Sequence, residues 1–485
     1  VRLRLFRLIR RVVLVLGVIV LTLLGLRVWQ TERGPALELW HTFSPPELTA
    51  KQLDQADWAG WMTAEAHAFA ALRTEVTDRL PAKDRVPVNR YFAQSPIYPP
   101  GFAQDFNRSY VLEPEGAPVG AAVLLHGLTD SPFSQRHIGA RYQALGYVVI
   151  AIRLPHHGTV PAALADAEWQ DWQAATRLAM REARRRVGPD RPVHLVGFSN
   201  GGALAVQYAL DAIENPALPR VERVVLLSPM IGITSFARFA GLAGLPAMLP
   251  RFAKAAWIAI LPEFNPFKYN SFPVNGAVQS HRLTQVLQAQ ILRLARDGRL
   301  AAVPPMLTFQ SVMDFTVSTR AVIDALYAHL PANGSELVLF DLNRNAKLGP
   351  LLRPASDNAL EGLLPPAPRR FRSTVVTNAA PDSSAVVARI TDAGATTEQV
   401  IELPLHYPAD VFSLSHVALP FPSWDGLYGA TPDPADDFGI RLGAIAARGE
   451  RGALIVVLDA LLRMSSNPFY PYMLGRIEEN LGATR

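Results

Sequence analysis

Ser199, in the segment GFSNG at residues 197–201, is the residue of this sequence best placed for covalent chemistry. The apolar run PVHLV precedes it and GGALAVQYALDAIEN follows, which predicts a strand, a sharp turn and a helix. In that setting the turn presents the hydroxyl, and Gly197 and Gly201 let strand and helix approach closely. The helix N-terminus then aims N–H groups at developing negative charge. The chemistry would be acyl transfer, with Ser199 attacking a carbonyl. The bland alternative is an ordinary serine in a Gly-rich turn, and the strand–turn–helix context argues against it.

A hydroxyl needs a base, and the base needs an orienting carboxylate. The acid expected is Asp314, in SVMDFTVS at the end of an apolar run, because sites form at the carboxyl ends of parallel strands. Asp341, which also follows an apolar run, is the alternative. The base is found by elimination. His41 and His67 precede the sheet pattern, and His194 lies inside a strand. His137, His281 and His329 lie in expected helices, and His126, His156 and His157 lie in loops before Ser199. His406 and His416 remain. His416 is preferred because SLSHVALPFP is a small-polar loop able to bend toward Ser199; His406, in PLHYP, reads as packed. The segment LLHGLTDSP at 124–132 places the Leu128 backbone N–H as one oxyanion donor, and the Asn200 N–H is the other. His126 is expected to hydrogen-bond loop backbone.

These residues require a sheet to position them. Short apolar runs occur at 119–125, 147–152, 192–196, 222–227, 306–312 and 336–340, with helical stretches at 134–144, 167–186 and 200–214. That alternation predicts α/β structure with a mostly parallel sheet covered on both faces. Residues 231–300 interrupt it as a largely helical, apolar insertion. Residues 345–410 form a second insertion, irregular apart from STVVTNA and SAVVARI, which accounts for the long separation of Asp314 and His416. Upstream, residues 47–80 read as a helical stretch ended by Pro81, and 82–105 as a loop.

With LLHGLTDSP, RLPHHGT at 153–159 and GFSNGG, and with the order Ser199, Asp314, His416, the chain resembles the α/β-hydrolase superfamily. It is most similar there to serine esterases, monoacylglycerol lipases and lysophospholipases. The resemblance covers about 107–230, 300–344 and 411–430. It implies an α/β-hydrolase fold with a helical cap at 231–300, and esters, thioesters or amides as substrates of a Ser nucleophile. The related loop reads Arg-x-Pro-Gly-His-Gly; here His156 replaces the Gly and His157 falls on the His. No metal or organic cofactor is implied. Acyl transfer to another acceptor, peptidase activity and a non-catalytic scaffold are the alternatives on the same fold.

The N-terminus reads as a membrane signal. Arg2, Arg4, Arg7, Arg10 and Arg11 precede VVLVLGVIVLTLLGL, and Arg27 is expected to snorkel at the end of a span over Val12–Trp29. The positive-inside rule predicts a single-pass signal-anchor with a cytoplasmic N-terminus and the rest of the chain outside the cytoplasm, periplasmic or extracellular. A cleaved signal peptide is the alternative, although no small-x-small site follows. The expected organisation is tail and anchor at 1–29, linker and helical extension at 30–105, and a hydrolase domain at 106–485. The net charge of +5 equals the five Arg of the tail, so no nucleic-acid partner is expected. The 485 residues contain no Cys, which excludes disulfides, thiolate metal sites and a Cys nucleophile. Cap residues such as Leu242, Leu245, Met248, Leu249, Trp257 and Phe267 suggest a lipid or long-chain ester substrate. The alternative is that they form the cap's own core.

Overall fold

The computed structural model describes residues 2–232, 240–345, 360–409, 411–443 and 466–482. Twelve strands occur among them: β1 (Tyr110–Leu112), β2 (Gly120–Leu125), β3 (Tyr147–Ile152), β4 (Val193–Phe198), β5 (Arg223–Leu227), β6 (Trp257–Ala259), β7 (Phe272–Pro273), β8 (Met306–Ser311), β9 (Glu336–Phe340), β10 (Arg372–Asn378), β11 (Ala385–Thr391) and β12 (Gln399–His406). Ten form one sheet in the order β1-β3-β2-β4-β5-β8-β9-β10-β11-β12. Pairing is parallel from β3 through β10 and antiparallel at both edges, β1 with β3 and β10–β11–β12.

Every residue of β2, β3, β4, β5, β8 and β9 is buried. Continuous apolar runs of this kind suit a sheet covered on both faces. The helices Trp169–Val187 and Asn200–Glu214 pack on one face through Trp172, Leu178, Leu204 and Tyr208. On the other face, Ile138 and Tyr142 of the helix Arg136–Ala144 and Met473 and Ile477 of Tyr470–Gly482 pack on Leu124, Val149 and Val196.

Three expectations change. Residues 345–410 are not an irregular insertion: within them β10, β11 and β12 extend the main sheet, β10 pairing parallel to β9. The alternation in STVVTNA and SAVVARI carried two of these strands, while β12 is largely exposed and lacks a clean buried face. The stretch 47–80 is not one helix but two main ones, Ala50–Gln55 and Trp58–Glu75, separated where the Asp57 side chain caps Gly60 N–H at 2.8 Å. The cap contains the long helix Val274–Arg296, but its middle consists of 3₁₀ turns and the β6–β7 hairpin.

A buried network helps to fasten the N-terminal extension. Arg153, wholly buried, donates to the Glu47 carboxylate at 2.6 and 3.0 Å and to Glu65 Oε1 at 3.0 Å. Glu65 also accepts from the Ser109 N–H and hydroxyl, and Trp61 Nε1 donates to Ser109 Oγ at 2.9 Å.

The first helix runs Arg2–Glu32, and Ile9–Glu32 within it is long and apolar enough to cross a membrane. A signal sequence near an N-terminus shares that composition. Near the end of this helix the Arg27 guanidinium donates to the Trp257 carbonyl of the cap, and Lys254 Nζ donates to Gly34 O at 3.1 Å.

Candidate active site

Ser199 sits between β4 and the helix Asn200–Glu214 with φ 54° and ψ −114°, a conformation that a side-chain-bearing residue rarely adopts. Backbone contacts hold it there. Ser199 N–H donates to Leu227 O at 2.9 Å, and its carbonyl accepts from Met230 N–H at 2.9 Å and Gly202 N–H at 3.0 Å. A Cβ on Gly201 would lie 1.9 Å from Leu125 O, and one on Gly197 2.4 Å from Gly201 O, so the turn admits only glycine at these places.

His416 Nε2 lies 3.1 Å from Ser199 Oγ, and His416 Nδ1 lies 2.7 Å from Asp314 Oδ2. Asp314, its side chain wholly buried, follows β8. Its Oδ1 accepts from Thr316 N–H and Val317 N–H at 2.9 Å each, and its Oδ2 from Gln310 Nε2 at 3.1 Å. Four donors, the imidazole included, thus converge on one carboxylate and fix its orientation. Phe198 flanks the imidazole with ring centroids 5.3 Å apart.

The alternatives lie elsewhere. Asp341 accepts from Thr377 Oγ1 at 2.8 Å and pairs with Arg344 at 3.5 Å, and Tyr407 donates to its carbonyl. His406 is exposed at the end of β12, not packed. His126 bonds loop backbone as expected. Its Nδ1 donates to Gly127 O at 2.9 Å and its Nε2 accepts from Leu154 N–H at 2.9 Å. Burial pushes its pKa down to about 3, so the ring is neutral and holds two loops together. His156 takes φ 68°, so the RLPHHGT loop keeps a left-handed turn at a position where glycine costs nothing.

Leu128 lines a cavity of about 340 Å³ together with Ser199 and His416, and Asn200 opens the helix behind the serine. Among the described residues neither Leu128 N–H nor Asn200 N–H has a hydrogen-bond partner. Phe198, Met230, Phe272 and Val317 give the cavity an apolar wall, and Lys268 and Tyr269 reach it from the cap. The cap loop is held there by Tyr269 N–H donating to Thr129 O at 2.7 Å. These cap residues carry no signal in the sequence, because long-range docking leaves no local periodicity. Gln310 could have been noticed as a polar residue in an otherwise buried strand.

His137, Asp425 and Asp436 bring three metal-ligand types within reach of one another. Arg136 already occupies that cluster: it pairs with Asp425 at 2.7 Å and with Asp436. Asp425 accepts further from Leu427 and Tyr428 N–H at 2.9 and 2.7 Å, so the group is an internal ion-pair network.

A parallel sheet with a capped elbow serine at its carboxyl edge defines a hydrolase of the α/β class. The chain belongs to the alpha/beta hydrolase family, whose model matches residues 122–466. It is 27% identical over 225 residues to a thermostable monoacylglycerol lipase of Bacillus sp. (strain H-257), a match covering 46% of this chain and 81% of that protein. Among solved structures it is similar to the monoacylglycerol lipase of Paleococcus ferrophilus, with TM-score 0.36, 16% identity, and 53% and 97% of the two chains covered. A soluble variant of the monoglyceride lipase of Saccharomyces cerevisiae gives TM-score 0.35, 13% identity, and coverage of 48% and 81%.

Proposed function

We propose that this chain hydrolyses carboxylic esters through an acyl-enzyme on Ser199. The observation that carries the reading is the pair of contacts made by His416, 3.1 Å to Ser199 Oγ and 2.7 Å to Asp314 Oδ2. His416 takes the Ser199 proton as Oγ attacks the carbonyl carbon, and Asp314 stabilises the imidazolium. Leu128 and Asn200 N–H groups receive the tetrahedral oxyanion; loss of one such donor costs about 3 kcal/mol of transition-state stabilisation. The imidazolium returns its proton to the leaving alcohol. Water then attacks the acyl-enzyme carbonyl with His416 again as base, and the imidazolium returns the proton to Ser199 Oγ as the Oγ–acyl bond breaks and the acid leaves.

We further propose an apolar acyl chain taken from lipid. The apolar wall of the cavity supports this, as does the similarity to the Bacillus monoacylglycerol lipase. Leu242, Leu245, Met248 and Leu249 are exposed on the cap, whereas Trp257 and Phe267 are buried in packed clusters and belong to its core. On this reading residues 1–29 are tail and anchor, with the N-terminus cytoplasmic and 106–485 the catalytic unit outside the cytoplasm, joined by the extension at 30–105. Fluorophosphonate labelling of the full chain and of Ser199→Ala tests the nucleophile. Labelling that survives the substitution overturns it. A chain-length series of p-nitrophenyl esters tests the acyl preference, and turnover confined to the shortest esters rules out the lipid substrate.

A further inference from the structure

A second cavity, of about 330 Å³, lies between the helix Trp58–Glu75 and the segment 90–108, a region ahead of the residues matched by the family model. Its size falls in the range of small-molecule sites. Phe69, Leu72, Tyr91 and Tyr98 supply apolar and aromatic walls. Arg73, Arg90 and Arg108 also line it, against one lining carboxylate, Asp105. Asp105 is 3.6 Å from Arg108, and Arg73 has Asp78 at 4.0 Å. Arg108 lies 4.0 Å over the Phe69 ring, which sets a cation against the apolar wall.

Arg90 is the unusual member. It is 2% exposed, yet its terminal nitrogens donate to neutral acceptors: Asn107 Oδ1 at 3.0 Å, Asn265 O at 3.2 Å, Gly158 O at 3.4 Å and Lys268 O at 3.5 Å. Its Nε has no hydrogen-bond partner among the described residues. All of its direct acceptors are neutral, and the nearby buried Glu263 carboxylate is taken up by the Asn270 and Ser271 N–H groups at 3.0 and 2.8 Å, so the unpaired edge of the guanidinium is left to favour an anion in a low-dielectric setting.

We propose that this cavity is a second ligand site, distinct from the Ser199 cavity, and that it binds a medium-chain carboxylate: head toward the arginines, chain along the aromatic walls. The acid released by ester hydrolysis belongs to this ligand class. That source rests on the proposed function, while the binding does not.

The test is calorimetric titration of octanoate into the full chain in nanodiscs, with empty nanodiscs subtracted. One saturable site is expected, weakened about tenfold or more by Arg108→Met and by Ala70→Trp, which fills the cavity from an exposed helix position. Octanol should bind about tenfold more weakly than octanoate. Unchanged fluorophosphonate labelling of Ser199 in both variants checks that they are folded. The proposal is overturned by the absence of saturable binding, by binding that both substitutions leave intact, or by binding lost once Ser199 is labelled. Octyl phosphate binding more tightly than octanoate overturns the carboxylate assignment. If Ser199 resists labelling in the parent chain, the hydrolase reading fails while the octanoate titration still decides this site.

Discussion

His416 Nδ1 lies 2.7 Å from Asp314 Oδ2 although 102 residues separate them in the chain. Between them the sheet is extended by β10, β11 and β12, and the chain must then return. The return is stitched to the end of β9. Asn343 N–H donates to Phe412 O at 3.0 Å, Asn343 Nδ2 donates to Pro408 O and Val411 O, and Tyr407 donates to the Asp341 carbonyl. Asp341 and Asn343 thus deliver the loop that carries His416.

Substitution therefore separates the two carboxylates. Asp314→Asn is expected to lower kcat by about 10³- to 10⁴-fold, because the amide holds the wrong imidazole tautomer. Asp341→Asn should leave kcat within a few-fold, since its carboxylate meets Thr377 and Arg344 instead. Steady-state kinetics on one soluble ester decides this; equal losses in both variants would contradict the assignment of Asp314.

Gly201→Ala should destabilise the fold by about 3 kcal/mol or more, because a Cβ would meet backbone at 1.9 Å and neither β2 nor the helix can retreat cheaply. Urea unfolding reads this directly. A midpoint equal to that of the parent would show that the elbow is looser than its contacts imply.

Glu65→Ala should cost about 3–5 kcal/mol by stripping Arg153 of a buried partner. Because this network ties the extension to β3, limited proteolysis should cut first between residues 30 and 105. An unaltered digestion pattern would sink the idea that the extension depends on it.

Acid should destabilise the protein well above the carboxylate range. Burial lowers the pKa of His126 and His194 to about 3 and of His41 to about 4, from 6.5. Below pH 6.5 the unfolded chain binds protons that the folded chain refuses, so their stabilising effect is present above 6.5 and lost as pH falls toward 4. Each contributes a slope on the order of 1 kcal/mol per pH unit. His194, whose ring nitrogens have no hydrogen-bond partner among the described residues, packs beside Tyr142 and Tyr147. His194→Phe should flatten the pH dependence of unfolding between 7 and 5, and an unchanged slope would refute that role.

The central strands were legible in the sequence because each is a short apolar run bounded by turn residues, and burial on both faces demands such runs. GFSNG was legible because neighbouring backbone lies 1.9 and 2.4 Å from where a Cβ would stand on Gly201 and Gly197, which only glycine tolerates, and that constraint is written in residue types. His416 emerged by elimination among eleven histidines, since residue type and chain order restrict the base. Tertiary structure alone decided how the chain crosses from β12 back to Asp314, how Tyr269 and Lys268 reach the Ser199 cavity, and that Arg27 meets the cap. Those contacts join segments far apart in sequence. Each depends on the shapes of both partners, so neither segment carries a local pattern that announces the other.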